Sequence, residues 1–468
     1  MKLQRKSLCS FVLVLILMGL NFIVPNPVSA DVPVINVWYG QHQIFGQPAM
    51  AQNWVNILGN VSNPDDLASL TYSLNGRPER SLSIGPDTRR LAAPGDFNID
   101  IYHTELRSGL NEVVITAVSN DNQQVTETVT IEYTPNSTVP LPYTFDWGAT
   151  PDIQEVAQIV DGEWTVQADG IRPTTLGYDR LVAVGDMWWD DYEVTVPITI
   201  HGAEPRFEFP SNGAAVFVVA RWQGHRVWDD SQPAYGWWPL GGTGSIIWVD
   251  QSRTQLVLGG NKVLPMAVGP VGQAIEFNVP YKLKLRVETI PGYTNLYSFK
   301  MWEADQPEPE SWIFQGQQRL WNPMFGSVLL VAHHTDVTFG NVSVTPISRS
   351  PWEWFVLLGS YAAQIPLLLI CLAGIILAVR YRAKQRAATR LVLIATILAA
   401  VGALGGTFLN IQLPLWLHRQ GWSTHEIGLA LVTNETIQSL IVAISLGLLI
   451  WAIFRLRQEE NIHEAGQS

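Results

Sequence analysis

Past residue 350 this chain carries three apolar runs, 354–379, 391–409 and 429–454, and nothing else in the sequence restricts its fold as much. At about 1.5 Å per residue, each run is long enough to cross a hydrocarbon core of ~30 Å as a helix. Lipid offers backbone groups no hydrogen bonds, so a helix is the form such a run must take. The segment 380–390, RYRAKQRAATR, holds five basic residues and no acidic one, and Arg455 and Arg457 follow the third run. Between the second and third runs, residues 410–428 hold one arginine and one glutamate. Basic loops stay on the cytoplasmic side. The sequence therefore predicts a multi-pass protein of the cell membrane, its N-terminal part extracellular and its C-terminus cytoplasmic. The membrane domain is 348–468, and the lipid bilayer is its first partner.

The opposite end agrees. Lys2, Arg5 and Lys6 precede an apolar run at 11–24, and Val28-Ser29-Ala30 supplies a small-residue cleavage site. That order predicts a secretory signal peptide over 1–30, with a retained signal anchor as the alternative. The two cysteines are Cys9 and Cys371, so the exported part has no disulfide and must rest on core burial. Residues 31–350 hold 18 Lys and Arg against 35 Asp and Glu, a net of −17, while 351–468 hold 8 against 6, a net of +2. So acidic an exported part points away from nucleic acid and anionic lipid. Neutral sugars, cations and basic partners remain.

From 31 to 134 short stretches alternate apolar and polar residues, as in LASLTYSLNGRPERSLSIG and NEVVITAVSNDNQQVTETVTIEYT. Asn75-Gly76 sits where a two-residue hairpin turn needs positive φ. About seven strands in roughly a hundred residues fit an Ig-like β-sandwich. The segment resembles bacterial Ig-like modules, without the cysteine pair of antibody-type domains, and such modules mostly serve as spacers. Residues 135–142, PNSTVPLP, form a proline-flanked linker. Residues 143–347 continue with strand patterns alone, a length that calls for a large sandwich or jelly roll.

The stretches DGEWTVQADG, DYEVTVPITI and YKLKLRVET…YSFKMWEADQPEPESW, with the closing SVLLVAHHTDVTFGNVSVTPI, resemble the concanavalin A-like lectin/glucanase superfamily. Within it they are nearest to LamG-like domains and to the keto-disaccharide hydrolase domain. The resemblance implies a jelly roll and leaves activity to the loops. The fold class expected is thus a mainly β ectodomain, an Ig-like sandwich plus a concanavalin A-like jelly roll, followed by an α-helical three-span membrane domain.

Arg221 to Gly242, RWQGHRVWDDSQPAYGWWPLGG, concentrates aromatic and charged residues. Phe217, Val219 and Arg221 would share one face of a strand, and the Pro, Gly and Asp beyond it predict an irregular surface loop. Two readings stand. The tryptophans pack over the sandwich edge, or they form a flat apolar platform for the C–H face of a sugar ring whose hydroxyls the polar neighbours satisfy. On the second reading the ligand residues are Trp222, Trp228, Trp237 and Trp238, with Arg221, His225, Arg226, Asp229 and Asp230 as polar partners.

Other clusters carry less. Glu303, Asp305 and Glu308 match the E-x-D-x-x-E spacing of laminarinase-type enzymes, whose carboxylates share one face of a strand. Pro307 and Pro309 argue for a hairpin tip instead. Adjacent His333 and His334 in a strand face opposite ways, so one is expected at the surface and one against the core. Asp186, Asp190 and Asp191 are oxygen donors of the kind Ca²⁺ takes, although a full site needs roughly six to eight. Gly402 and Gly406 form a G-x-x-x-G face for close helix packing. One span would anchor the protein, so three suggest a membrane protein partner. The leading expectation is a non-catalytic carbohydrate-binding or adhesive surface protein. The alternatives are a tethered glycoside hydrolase and a structural or sensory ectodomain of a membrane complex.

Overall fold

The computed structural model describes residues 32–46, 52–150, 152–208, 212–225, 232–261, 263–290, 294–319, 323–347, 361–381, 386–419 and 424–465. The expected signal peptide lies outside them. What they build is mostly β-sheet sandwich, with three helices at the C-terminal end.

Strands between residues 35 and 133 form two sheets. One is three-stranded, in the order Ile35–Val37, Trp54–Val61, Asp96–Tyr102. The other is five-stranded, in the order His42–Phe45, Gln124–Tyr133, Gly109–Ser119, Leu67–Leu74, Arg80–Ser81. Asn75 and Gly76 both have positive φ, at 53° and 70°, as their two-residue turn requires. Ile57, Phe97 and Ile99 meet Tyr72, Ile115 and Val129 in the core between the sheets. The strand Asp96–Tyr102 alternates as expected, yet its polar positions are buried too. Asn98 and Asp100 face another part of the protein rather than water.

Residues 143–346 supply two larger antiparallel sheets. The seven-stranded sheet runs Gln158–Asp161, Arg180–Val184, Ser327–His333, Ala215–Trp222, Gly242–Trp248, Thr254–Gly260, Val263–Val268. The nine-stranded sheet is centred on Tyr192–Ala203, Pro280–Ile290 and Thr294–Glu303. In Pro280–Ile290 the side chains Tyr281, Leu283, Leu285 and Val287 point inward, and Lys282, Lys284 and Arg286 between them are only half-buried. The inward set packs on Val216, Val218, Val328 and Leu330 of the facing sheet. Ser327–His333 is buried along its whole length, because its outer face is also covered. His334, at φ 47°, carries the chain out of this sheet and into Thr335–Phe339 of the other. Both histidines are buried, which corrects the expectation that one would lie at the surface.

The helices are Ile365–Tyr381, Arg386–Arg419 and Thr424–Ala465. Two contain segments long and apolar enough to cross a membrane, Ala387–Asn410 and Leu429–Arg455. The first helix is shorter, and residues 354–360 of the predicted run lie outside the described residues. Ile370, Val401 and Phe454 are well exposed, the pattern of apolar helices made to face lipid. A Cβ on Gly402 would sit 2.8 Å from Ile441, and one on Gly406 would sit 2.2 Å from Gln438. Both glycines of the second helix therefore lie close against side chains of the third. An amide pair adds to that contact, Asn434 Nδ2 donating to Asn410 Oδ1 at 2.6 Å.

Candidate functional site

The strand Ala215–Trp222 does not keep its alternation to the end. Val216, Val218 and Ala220 point into the core, and Phe217 and Val219 point outward. Arg221 then adopts φ 55°, and the register against Ser327–His333 shifts between Val219 and Trp222. Such a bulge adds one residue and turns the pattern over. Gly326 makes room for it, since a Cβ there would come within 2.3 Å of the Arg221 carbonyl carbon. Arg221 consequently reaches toward the nine-stranded sheet, its Nη2 2.7 Å from Asp191 Oδ1 and 2.7 Å from Thr289 Oγ1. Trp222 is fully buried on the outer face with Val219 and Leu240. The platform reading makes both of them ligand residues; in the structure both hold the fold, as the packing reading has it for Trp222.

His225 is buried as well. It lies edge-on to Trp54 and Trp222, at 6.5 and 5.7 Å, and its Nδ1–H donates to the Gly236 carbonyl at 2.6 Å. Burial, assisted by the Arg90 charge, pushes its pKa down to about 4, so the ring is neutral at physiological pH. Arg226, Trp228, Asp229 and Asp230 lie outside the described residues. Of the predicted set, Trp237 and Trp238 remain at a surface. They stack nearly parallel, with centroids 5.4 Å apart and planes at 12°, and Trp238 is 37% exposed.

This stack walls a cavity of about 490 Å³ on the outer face of the seven-stranded sheet, also lined by Tyr178, Asp179, Phe217 and His333. The hollow has a cause in the sequence. Outward positions of the next two strands carry Thr243, Ser245, Gln255 and Gly259 beside Ile247 and Val257, and the small residues among them leave part of the floor low. Asp179 organises the rim. One oxygen accepts from His333 Nδ1 at 2.9 Å and the other from Trp237 Nε1 at 3.0 Å. With Nδ1 turned to Asp179, Nε2 is the other polar atom of the ring. No lysine or arginine lines the cavity among the described residues. Asp179 and Tyr178 are absent from the sequence-based set. Asp179 stands 154 positions from His333, and only the neighbouring strands Arg180–Val184 and Ser327–His333 bring the two together.

The remaining clusters serve the scaffold. Asp186 accepts the backbone N–H groups of Val139 and Trp188, Asp190 accepts that of Asp191, and Asp191 pairs with Arg221. Among the described residues no group of three His, Cys, Asp or Glu side chains converges as a metal ion would require. Glu303 ends its strand, and Glu308 beyond it pairs with Lys284 and Lys300 at 2.7 Å each. The carboxylates therefore do not share a strand face, in line with the hairpin-tip expectation.

No protein-family model matches this chain, and no curated protein does. Among solved structures, the exoplasmic/lumenal domain of VIP36 in its Ca²⁺-bound form aligns at a TM-score of 0.29 and 10% identity, covering 45% of this chain and 92% of that one. A galectin-like-fold protein of unknown function from Bacillus subtilis aligns at 0.27 and 10%, covering 44% and 96%. The endo-β-1,4-mannanase of Thermotoga petrophila aligns at 0.18 and 8%, covering 23% and 21%. At such TM-scores the likenesses carry no inference about this chain's ligand.

Proposed function

We propose that this protein is a membrane-anchored surface protein that binds glycan in the cavity beside Trp237 and Trp238. On this reading residues 143–347 are a concanavalin A-like jelly roll and 31–134 an Ig-like sandwich, both outside the cell. The observation that carries it is the composition of the cavity: a stacked indole pair, a floor that mixes apolar side chains with Thr243 and Gln255, and an imidazole held by a carboxylate. An apolar platform beside a few fixed polar groups is what a pyranose requires, a ring with C–H faces and hydroxyl edges. Among the described residues the lining holds no lysine or arginine, which favours an uncharged sugar. Among the described residues Asp179 is the one carboxylate of the lining, and both its oxygens are engaged, which supports binding without hydrolysis. The basic segment 380–390 and the two apolar helices support the anchored, outward orientation.

The test is binding of the chain, reconstituted in nanodiscs, to an array of uncharged oligosaccharides. A Trp237→Ala/Trp238→Ala variant and a chelator arm run beside it. Binding that the variant abolishes supports the platform, and sensitivity to chelator would add a cation. A folded chain that ignores every glycan sinks the proposal.

A further inference from the structure

The segment 232–240 that carries the tryptophan stack is irregular, so its backbone groups find no strand ladder and must be met elsewhere. On its cavity side Trp237 bonds Asp179. On its other side the partners come from the strand Asp96–Tyr102 and the loop before it. Ala234 N–H donates to Asp100 Oδ2 at 2.7 Å, and the Ala234 carbonyl accepts from Arg90 Nη1 at 2.7 Å. Gln232 makes a two-way bridge to the Asp100 backbone, accepting its N–H at 2.8 Å and donating to its carbonyl at 3.0 Å. Ser83 N–H donates to the Gln232 carbonyl at 2.9 Å. Where the segment's approach begins, Gly224 lies so close to Trp54 that a Cβ would stand 2.2 Å from the indole.

We infer that the N-terminal β region is a positioning element of the cavity, the mould against which segment 232–240 is set, and that Gln232 and Asp100 are its positioning residues. This rests on the glycan reading for its purpose, though not for its geometry. A spacer would leave the loop's contacts within residues 143–347; here the loop's polar backbone at 232 and 234 is completed from outside that region. The connection 135–142 is docked in the same spirit, Val139 bonding both Asp186 and the Trp189 indole.

The experiment uses the whole chain in nanodiscs and compares Gln232→Ala, Gln232→Glu and Asp100→Asn, none of which lines the cavity. Three readouts are taken: hydrogen exchange of segment 232–240, the exciton couplet of the Trp237–Trp238 stack in circular dichroism, and binding to the uncharged glycan array. Gln232→Ala should speed exchange of the segment roughly tenfold, as losing two ordinary hydrogen bonds would. It should also weaken the couplet and the binding while leaving the melting temperature nearly unchanged. Gln232→Glu keeps the acceptor and should recover part of each signal. Unchanged exchange and couplet in both Gln232→Ala and Asp100→Asn would overturn the inference. If the parent chain binds no glycan, the functional reading fails alone, and the exchange and couplet still decide the positioning role.

Discussion

Two polar regions of this protein flank the same loop and are built on opposite terms. Beneath it, Arg90, Asn98, Asp100 and Asp161 are buried between the N-terminal strands and the seven-stranded sheet. Arg90 Nε donates to Asp161 Oδ1 at 2.7 Å, and its terminal nitrogens go to Asp100. Asn98 Nδ2 donates to Asp161 Oδ1 at 2.8 Å. Above it, the cavity leaves Trp238 37% exposed and Gln255 half-buried along its lining. A buried charge persists only when paired, so the lower region consists of residues that cannot be spared by the fold. Trp238, at the open edge of the upper region, can be lost without leaving a buried charge unpaired. Aromatic and charged residues close together in the sequence are thus sorted by what they are bonded to, not by type.

The largest expected effect comes from breaking the lower region. Asp100→Ala leaves Arg90 buried with one carboxylate, and should cost about 3–5 kcal/mol in the stability of the β-sheet part, read by chemical denaturation of the chain. A loss within about 0.5 kcal/mol, the scale of an ordinary surface substitution, would mean that water already reaches this interface. Trp238→Ala tests the other side. Its removal should leave the melting temperature nearly unmoved and weaken glycan binding by about 2 kcal/mol, roughly thirtyfold, as for a central aromatic anchor. If stability falls and binding does not, Trp238 belongs with the packing tryptophans, and the contrast between the two regions collapses.

Much of the β architecture could be read in advance, because period-2 alternation and the Asn75-Gly76 turn are local signals. What covers a strand's second face is not local. DFNIDIY identifies Phe97, Ile99 and Ile101 as one face, but the same pattern serves whether Asn98 and Asp100 meet water or a second sheet. Arg221 was misplaced for a related reason. A positive-φ bulge at a non-glycine residue leaves no sign in a run such as VFVVARW, and it inverts every assignment beyond it. The cavity was half legible: Trp237 and Trp238 stood out by composition, whereas Asp179 and His333 become neighbours only through strand pairing.

The smallest effect concerns pH, and it separates the two buried carboxylates. Burial lowers the pKa of His103, and takes His225 and His334 down to about 4. His225 and His334 stay neutral in the fold while the unfolded chain takes up a proton near 6.5, and His103 shifts in the same direction. Their contributions are therefore complete above pH 6.5 and are lost as pH falls toward 4. Asp161 acts in the opposite sense. Burial pushes it up to about 7 against the pull of Arg90, whereas Asp100, holding more of the guanidinium, is drawn below its usual value. Between pH 7 and 4 the folded protein binds a proton at Asp161 that the unfolded chain does not, which offsets one histidine. Asp161→Asn removes that offset. Whatever its effect at neutral pH, this variant should lose stability on acidification more steeply than the parent, by one proton's worth of slope, in denaturation curves taken from pH 7 to 4.5. Parallel slopes would mean that Asp161 is already ionised in the folded protein, and that Arg90 serves both carboxylates equally.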